Sequence, residues 1–285
     1  MSERLTDIEA RIRSVEQLSS VIEAMRGMAA ARAQEASHHL AGVRAYAATI
    51  AAAIGRVAPS GQTPAPARWR KGSHLVVALC AEQGFAGGFS RRILDRFVRL
   101  RDDRQDQAVE LLLIGDRGIL AALERDLQPS WSAPMISATA EAASLSNRIM
   151  EEIYERIGKE PVERVSLLYA NPGGAMADII ERQIIPFDAS QLDRPAGRTP
   201  PLLHLSPETL FESLAEEYVF AEICEAVVLS YAAENETRMR AMMSAERNVS
   251  ETLETLTASA RRQRQEEISN EISELSTSIL SSASA

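Results

Sequence analysis

The chain has 285 residues, 45% hydrophobic but only 5% aromatic, with a formal net charge of −9 at pH 7. That balance disfavours a broad nucleic-acid surface, which needs clustered positive charge to meet phosphates. Cys80 and Cys224 lie far apart without metal-ligand spacing, which fits plain core thiols in a reducing compartment.

The first 58 residues contain no Pro, and Gly only at 27, 42 and 55. Ile8, Ile12, Val15, Ile22, Met25 and Ala29 recur at spacings of three, four and seven, which predicts one apolar stripe on a long helix. Ser2 or Thr6 is the expected cap. The opening, MSERLTDIEARIRSVE, is amphipathic and charged, unlike a secretory signal. No apolar run is expected to approach the ~20 residues of a membrane span. Gly55 to Gly72 (GRVAPSGQTPAPARWRKG) reads as a break.

The middle alternates between strand and helix patterns. Strands are expected at His74–Ala81, Val109–Ile114, Trp131–Ile136, Val162–Tyr169 and Asp178–Phe187. Helices are expected at Ser90–Arg101, Ile119–Asp126 and Thr139–Ile157. This order predicts a small, mostly parallel sheet. Residues 188–207 read as a second linker.

From Glu208 to the last residue there is neither Gly nor Pro. A continuous helix there would run roughly 117 Å. Ser206 or Pro207 opens it. Its apolar positions continue through Ile223, Val227, Met242, Val249, Leu253, Ile268, Ile272 and Leu275. Gaps of three and four over the last thirty residues predict a coiled-coil seam, and the charged run ARRQRQEE thins it between 260 and 267. The expected fold class is α/β with long helices. An antiparallel coiled coil of the N-terminal (1–58) and C-terminal (208–285) helices carries a central Rossmann-like α/β domain (73–187).

Little in the pattern points to chemistry. The run Gly84-Phe85-Ala86-Gly87-Gly88 follows the first strand, where a phosphate loop sits in this class of fold. It lacks the Lys-Ser/Thr of a Walker loop and the GxGxxG spacing. It reads as a tight strand-to-helix turn or a partner-contact loop. Asn171-Pro172-Gly173-Gly174 reads as a hairpin turn. His38 and His39 are adjacent and cannot share a helix face. No catalytic, cofactor-binding or metal-binding residue is expected.

Three stretches resemble the gamma subunit of F-type ATP synthases. Ile8–Arg32 (IEARIRSVEQLSSVIEAMRGMAAAR) resembles the family pattern I-x-x-[RK]-I-x-S-V, then a hydrophobic pair before A-M, then V-A-A-x-[KR]. Glu82–Ser90 (EQGFAGGFS) resembles its D-R-G-L-x-G-G-L-N loop. Ala232–Leu275 holds Glu234-Asn235, Arg238-Met239, Ala241-Met242, Asn248, Arg264-Gln265, Ile268-Ser269 and Glu271-Ile272. This resembles E-N-x-x-R-M-x-A-M-x-x-A-x-x-N followed by R-Q-x-x-I-T-x-E-I. Glu23, Glu82, Gln83, Arg261 and Ser269 depart from the family's residues at their positions.

The resemblance implies a central rotor stalk without an active site, coupling ion flow to ATP synthesis or hydrolysis by rotation. The implied partners are the alpha and beta subunits of the catalytic head, the epsilon subunit and the membrane c-ring. The implied place is the cytoplasmic face of a bacterial inner membrane, peripheral to it. The implied partner-contact residues are Met25, Arg32, Gly84, Gly87, Gly88, Arg238, Gln265, Ser269 and Glu271. Two other readings stand beside it: a coiled-coil scaffold with an α/β docking domain, and a nucleotide-dependent enzyme using the Gly84 loop.

Overall fold

The computed structural model describes residues 3–57, 72–104, 107–173, 177–187 and 203–282. Two long helices bracket an alternating centre. Helix α1 spans Glu3–Val57 and α5 spans Pro207–Ser282. Ser206 opens α5: its hydroxyl accepts the Thr209 amide at 3.2 Å, and Pro207 takes the first helical position, where a missing N–H does no harm. Ser2 lies outside the described residues, and Thr6 lies inside α1 rather than capping it.

Between the helices run β1 (Ser73–Leu79), α2 (Phe89–Asp102), β2 (Val109–Ile114), α3 (Asp116–Leu123), β3 (Trp131–Ala133), α4 (Ala142–Lys159), β4 (Val162–Asn171) and β5 (Asp178–Ile185). The strands form one sheet in the order β3-β2-β1-β4-β5. The first four are parallel, and β5 pairs antiparallel with β4. This is the order of a doubly wound fold with an antiparallel edge. Every residue of central β1 is buried, which is why it reads as a continuous apolar run rather than an alternation.

Several element bounds differ from the sequence expectations: α4 starts at Ala142 because Thr139–Glu141 form a 3-10 turn, and β5 ends at Ile185, short of Phe187. Three further differences have a local cause. Strand β3 stops at Ala133 because Pro134 has no N–H for the ladder. Helix α3 begins at Asp116, three residues early, directly after Gly115. Gly115 has φ +100, and a Cβ there would stand 2.6 Å from the Cys80 carbonyl oxygen, so only glycine fits the turn. Strand β1 ends at Leu79. Beyond it the Ala81 amide turns away to the Ser90 hydroxyl at 3.1 Å.

The chain divides into two compact units: Met1–Met28 with Met239–Ala285, and Ala29–Arg238. In the larger, the sheet separates two cores. On one side β1, β2 and β4 meet α4 and the Val219–Ala232 stretch of α5, with Leu75, Leu79, Ile149, Ile153, Ile223 and Val227 at its centre. On the other, α2 and α3 pack through Ile93, Leu94, Phe97 and Ala122. Helices α1 and α5 pair antiparallel within this unit: Arg44 bonds Glu225 at 2.8 Å, and Ile54 packs on Phe211. Cys80 and Cys224 are buried and free. Burial pushes the Cys80 thiol up to about 12, leaving it without thiolate character.

The smaller unit is also an antiparallel pair. Ile22, Met242 and Val249 form its buried seam, with Val15, Met25 and Leu253 against them. Arg26 faces Glu246 at 3.4 Å, and Arg264 bonds Glu9 at 2.9 Å. From that last pair the described part of α1 extends only back to Glu3, whereas α5 runs on to Ser282. Among the described residues the expected seam does not stay covered along this part of α5. Ile268, Ile272 and Leu275 are 50%, 60% and 63% exposed.

One further expectation is corrected. By length and composition, α1 does contain an 18-residue stretch apolar enough to cross a membrane.

Candidate partner-contact surfaces

The turn after β1 is built by its neighbours. The Glu82 carboxylate reaches across the strand ends and accepts the amides of Met135 at 2.7 Å and Asp116 at 3.3 Å. Its backbone and that of Gln83 face α5. The Glu82 amide donates to Glu234 Oε2 and the Gln83 amide to Glu234 Oε1, both at 3.3 Å. Arg238, one helical turn on, pairs with the same carboxylate. It also donates to the carbonyls of Gly84 at 3.1 Å and Gln83 at 3.2 Å, and to Asn235 Oδ1 at 2.9 Å. Ser230 ties the same helix to the end of β1 through the Leu79 carbonyl at 2.8 Å. The crevice beyond the strand ends, where doubly wound sheets receive nucleotides, is thus filled by α5.

Beyond Gly84 the turn emerges into solvent. Phe85 sits at its tip with φ 61 and is 68% exposed. Gly87 is left-handed at φ +56, a conformation that a side chain would strain. Gly88 precedes the first turn of α2. A cleft of about 470 Å³ lies alongside, lined by Gly84, Phe85, Arg91, Arg117 and Leu120 among others.

The predicted contact residues fall into three groups. Gly84, Gly87 and Gly88 lie together on the exposed turn. Arg32 and Arg238 turn inward upon it: Arg32 donates to Gln83 Oε1 at 3.3 Å, and Arg238 is 4% exposed. In the smaller unit, Gln265, Ser269 and Glu271 are exposed on α5, while Met25 is half-buried against the Ile22–Met242 seam. Sequence reading did not single out Glu234 as the group that meets the turn's amides. Its spacing of four from Arg238 was visible; its partners 152 and 151 residues away were not. It also passed over the exposed apolar stripe on α1, where Leu18, Val21 and Met28 are 51%, 55% and 55% exposed.

A second polar cluster pins α5 to the sheet edge. Glu222 is buried and pairs with Arg182 of β5. Burial raises its carboxyl even so, with Arg182 and the Tyr218 hydroxyl opposing. At the other end of β1, His74 is fully buried. Its Nδ1 accepts from Arg104 at 3.2 Å, so Nε2 carries the proton toward the Ser166 hydroxyl at 2.9 Å. Burial, then the charges of Arg104 and Arg164, bring it down to about 4. Among the described residues no group of three or more His, Cys, Asp or Glu side chains is placed to hold a metal ion.

Comparison with known proteins agrees with this architecture. The family model described as ATP synthase matches residues 4–285. The ATP synthase gamma chain of Symbiobacterium thermophilum is 26% identical over 281 residues, covering 96% of this chain and 97% of that one. That of Rhodospirillum rubrum is 28% identical over 292 residues, covering 95% and 97%. Among solved structures, a chain of the Euglena gracilis mitochondrial ATP synthase (OSCP/F1/c-ring, rotational state 3) superposes with a TM-score of 0.68 at 12% identity, covering 98% of this chain and 94% of that one. A chain of the Tetrahymena thermophila mitochondrial ATP synthase central stalk and c-ring gives 0.56 at 21%, covering 79% and 99%. These last two bear on the fold. With a match running nearly end to end, this chain belongs to the ATP synthase family, among its gamma chains.

Proposed function

We propose that this chain is the central rotor stalk of an F-type ATP synthase, a non-catalytic subunit that couples ion flow through a membrane sector to ATP synthesis or hydrolysis in a catalytic head. The observation that carries this reading is the bare end of α5. Ile268, Ile272 and Leu275 stand at spacings of four and three and are each at least half exposed, so they lie along one helix face. Gln265, Ser269 and Glu271 accompany them in solvent. Glu266, Asn270 and Ser273 occupy the opposite face, so this helix end is apolar on one side and polar on the other, as a shaft inside a sleeve supplied by other chains would be.

Such an end is asymmetric, and that is what coupling requires. Turning it inside a ring of alternating alpha and beta subunits presents the apolar face to each beta subunit in turn. A contact that differs between orientations shifts each site's conformational equilibrium by its differential free energy. The α1 stripe of Leu18, Val21 and Met28 supplies a second such face within the same unit. The Gly84–Gly88 turn, with Phe85 at its tip, serves as a further contact. The α/β unit meets the epsilon subunit and the c-ring, holding the chain peripheral to the cytoplasmic face of a bacterial inner membrane.

Affinity purification of the native complex through this chain tests the proposal. Alpha and beta subunits are expected at about three per copy. Recovery of the chain without them returns the scaffold reading.

A further inference from the structure

The turn after β1 is a ligand site that already holds its ligand. We propose that it is an oxyanion cradle permanently occupied by the chain's own Glu234 carboxylate, and that removing this carboxylate leaves a site for a small carboxylate or phosphate ion. The inference stands apart from the rotor reading; it concerns how α5 is seated in the larger unit.

Three donors converge on Glu234 from fixed positions. The consecutive amides of Glu82 and Gln83 address different carboxylate oxygens at 3.3 Å each. The Arg238 guanidinium addresses Oε1 as well. Successive backbone N–H groups forming a concavity are a general anion receptor, and a guanidinium beside them adds charge and directed hydrogen bonds.

None of the three depends on Glu234 for its placement. Arg238 is held by the carbonyls of Gly84 and Gln83 and by Asn235. Asn235 is itself anchored to the Tyr231 carbonyl at 2.9 Å. The amides are held because the Glu82 side chain is tied to Met135 and Asp116, and because Ala81 is tied to Ser90. The cradle is therefore preorganised. Its occupant is 2% exposed, so the carboxylate is sequestered from competing ions.

A plain i,i+4 helix pair would not look like this. Such a pair faces solvent and bonds within its own helix. Glu234 instead receives two amides from a loop more than 150 residues away. The place that a doubly wound fold offers to phosphate has become the seat of a helix, with a carboxylate standing where the phosphate would.

The test uses the full-length chain with Glu234→Ala, and Glu124→Ala as a control for losing an exposed carboxylate, since Glu124 pairs with Arg91 on the surface. Thermal unfolding is followed in sodium formate, sodium phosphate and sodium chloride at equal ionic strength. Glu234→Ala is expected to melt lower than the parent and to regain several degrees, saturably, in formate; the parent and Glu124→Ala respond no differently to formate than to chloride. Rescue by phosphate as well gives the cradle room for a tetrahedral ion, and rescue by formate alone limits it to a carboxylate. Adding Arg238→Ala abolishes either rescue. If neither ion exceeds chloride, the cradle is refuted.

Should Glu234→Ala not fold, Glu234→Gln decides. In the carboxamide one of the two carboxylate positions becomes an NH2 group, which meets an amide N–H donor to donor. Hydrogen exchange at Glu82 or Gln83 should quicken about tenfold, whereas protection equal to the parent's at both amides overturns the proposal.

Discussion

Two stretches of α5 obey opposite rules. Between Val219 and Arg238 the helix lies against the sheet and buries polar groups: Glu222, Ser230, Glu234, Asn235 and Arg238 are all less than a tenth exposed. Between Gln265 and Leu275 it exposes apolar ones. The first stretch tolerates burial because each polar group is met, by a strand-end carbonyl, loop amides or Arg182. In the second, the described residues leave Ile268, Ile272 and Leu275 at least half exposed. A single uninterrupted helix can thus be a fixed component at one end and an unfinished interface at the other. Burial of polar groups marks the finished end; exposure of apolar groups marks the one awaiting partners.

The sharpest way to break this contrast is Arg238→Ala. It leaves the buried Glu234 carboxylate its two loop amides but no counter-charge, and breaking a buried ion pair in this way typically removes about 3–5 kcal/mol. Urea unfolding of the isolated chain should show it; a loss below about 1 kcal/mol would mean that the finished end is not finished. Arg238→Lys should recover only part, because an ammonium cannot span two carbonyls, an amide oxygen and a carboxylate.

His74 gives the next largest effect, as a pH dependence. Its value is held at about 4 in the fold against an ordinary 6.5, so the unfolded chain takes up the proton first. The resulting stability is complete above about pH 6.5 and drains away as pH falls toward 4, by roughly 2–3 kcal/mol. Comparing unfolding at pH 7 and pH 4.5 for the parent and for His74→Gln isolates this contribution. Equal slopes in the two proteins would remove it.

Met25→Lys probes the other end. Met25 is half-buried against Ile22 and Met242, and a lysine stem can cover the same seam while its ammonium reaches water. Stability of the isolated chain should fall by only about 1 kcal/mol. In membranes with equal amounts of assembled complex, ion pumping should fall more than ATP turnover, because a new cation adds an attachment between stalk and ring. An unchanged ratio of pumping to turnover would sink the contact role. Gln265→Leu, fully on the surface, should lower both assembly and activity.

The smallest expected effect is the most diagnostic. Ile272→Ser should leave the isolated chain within about 0.5 kcal/mol of the parent, as surface changes do, yet reduce recovery of alpha and beta subunits. If it destabilised the isolated chain instead, the exposed stripe would be part of a folded core.

Much of this architecture was legible because it depends on local chemistry. The scarcity of Gly and Pro in both terminal stretches fixes two long helices, since those residues are the ones that interrupt the backbone ladder. The buried runs HLVVALCA and VELLLI mark central strands of a parallel sheet, and the helices between them set the crossover order. Even the early end of β3 was written in Pro134. The motifs at both ends identified the family, because their residues stand at fixed spacings along single helices.

What the sequence could not display was which group answers which across long separations. Glu234 and Arg238 read as an ordinary helix pair until folding brings the 82–84 backbone to them. Arg238 matched a contact pattern by its spacing, and only the packed helix turns it inward. The 268–275 positions read as a seam because periodicity records that a face is apolar, not what covers it. Covering is decided by the register between two chain segments, which is a property of neither one alone.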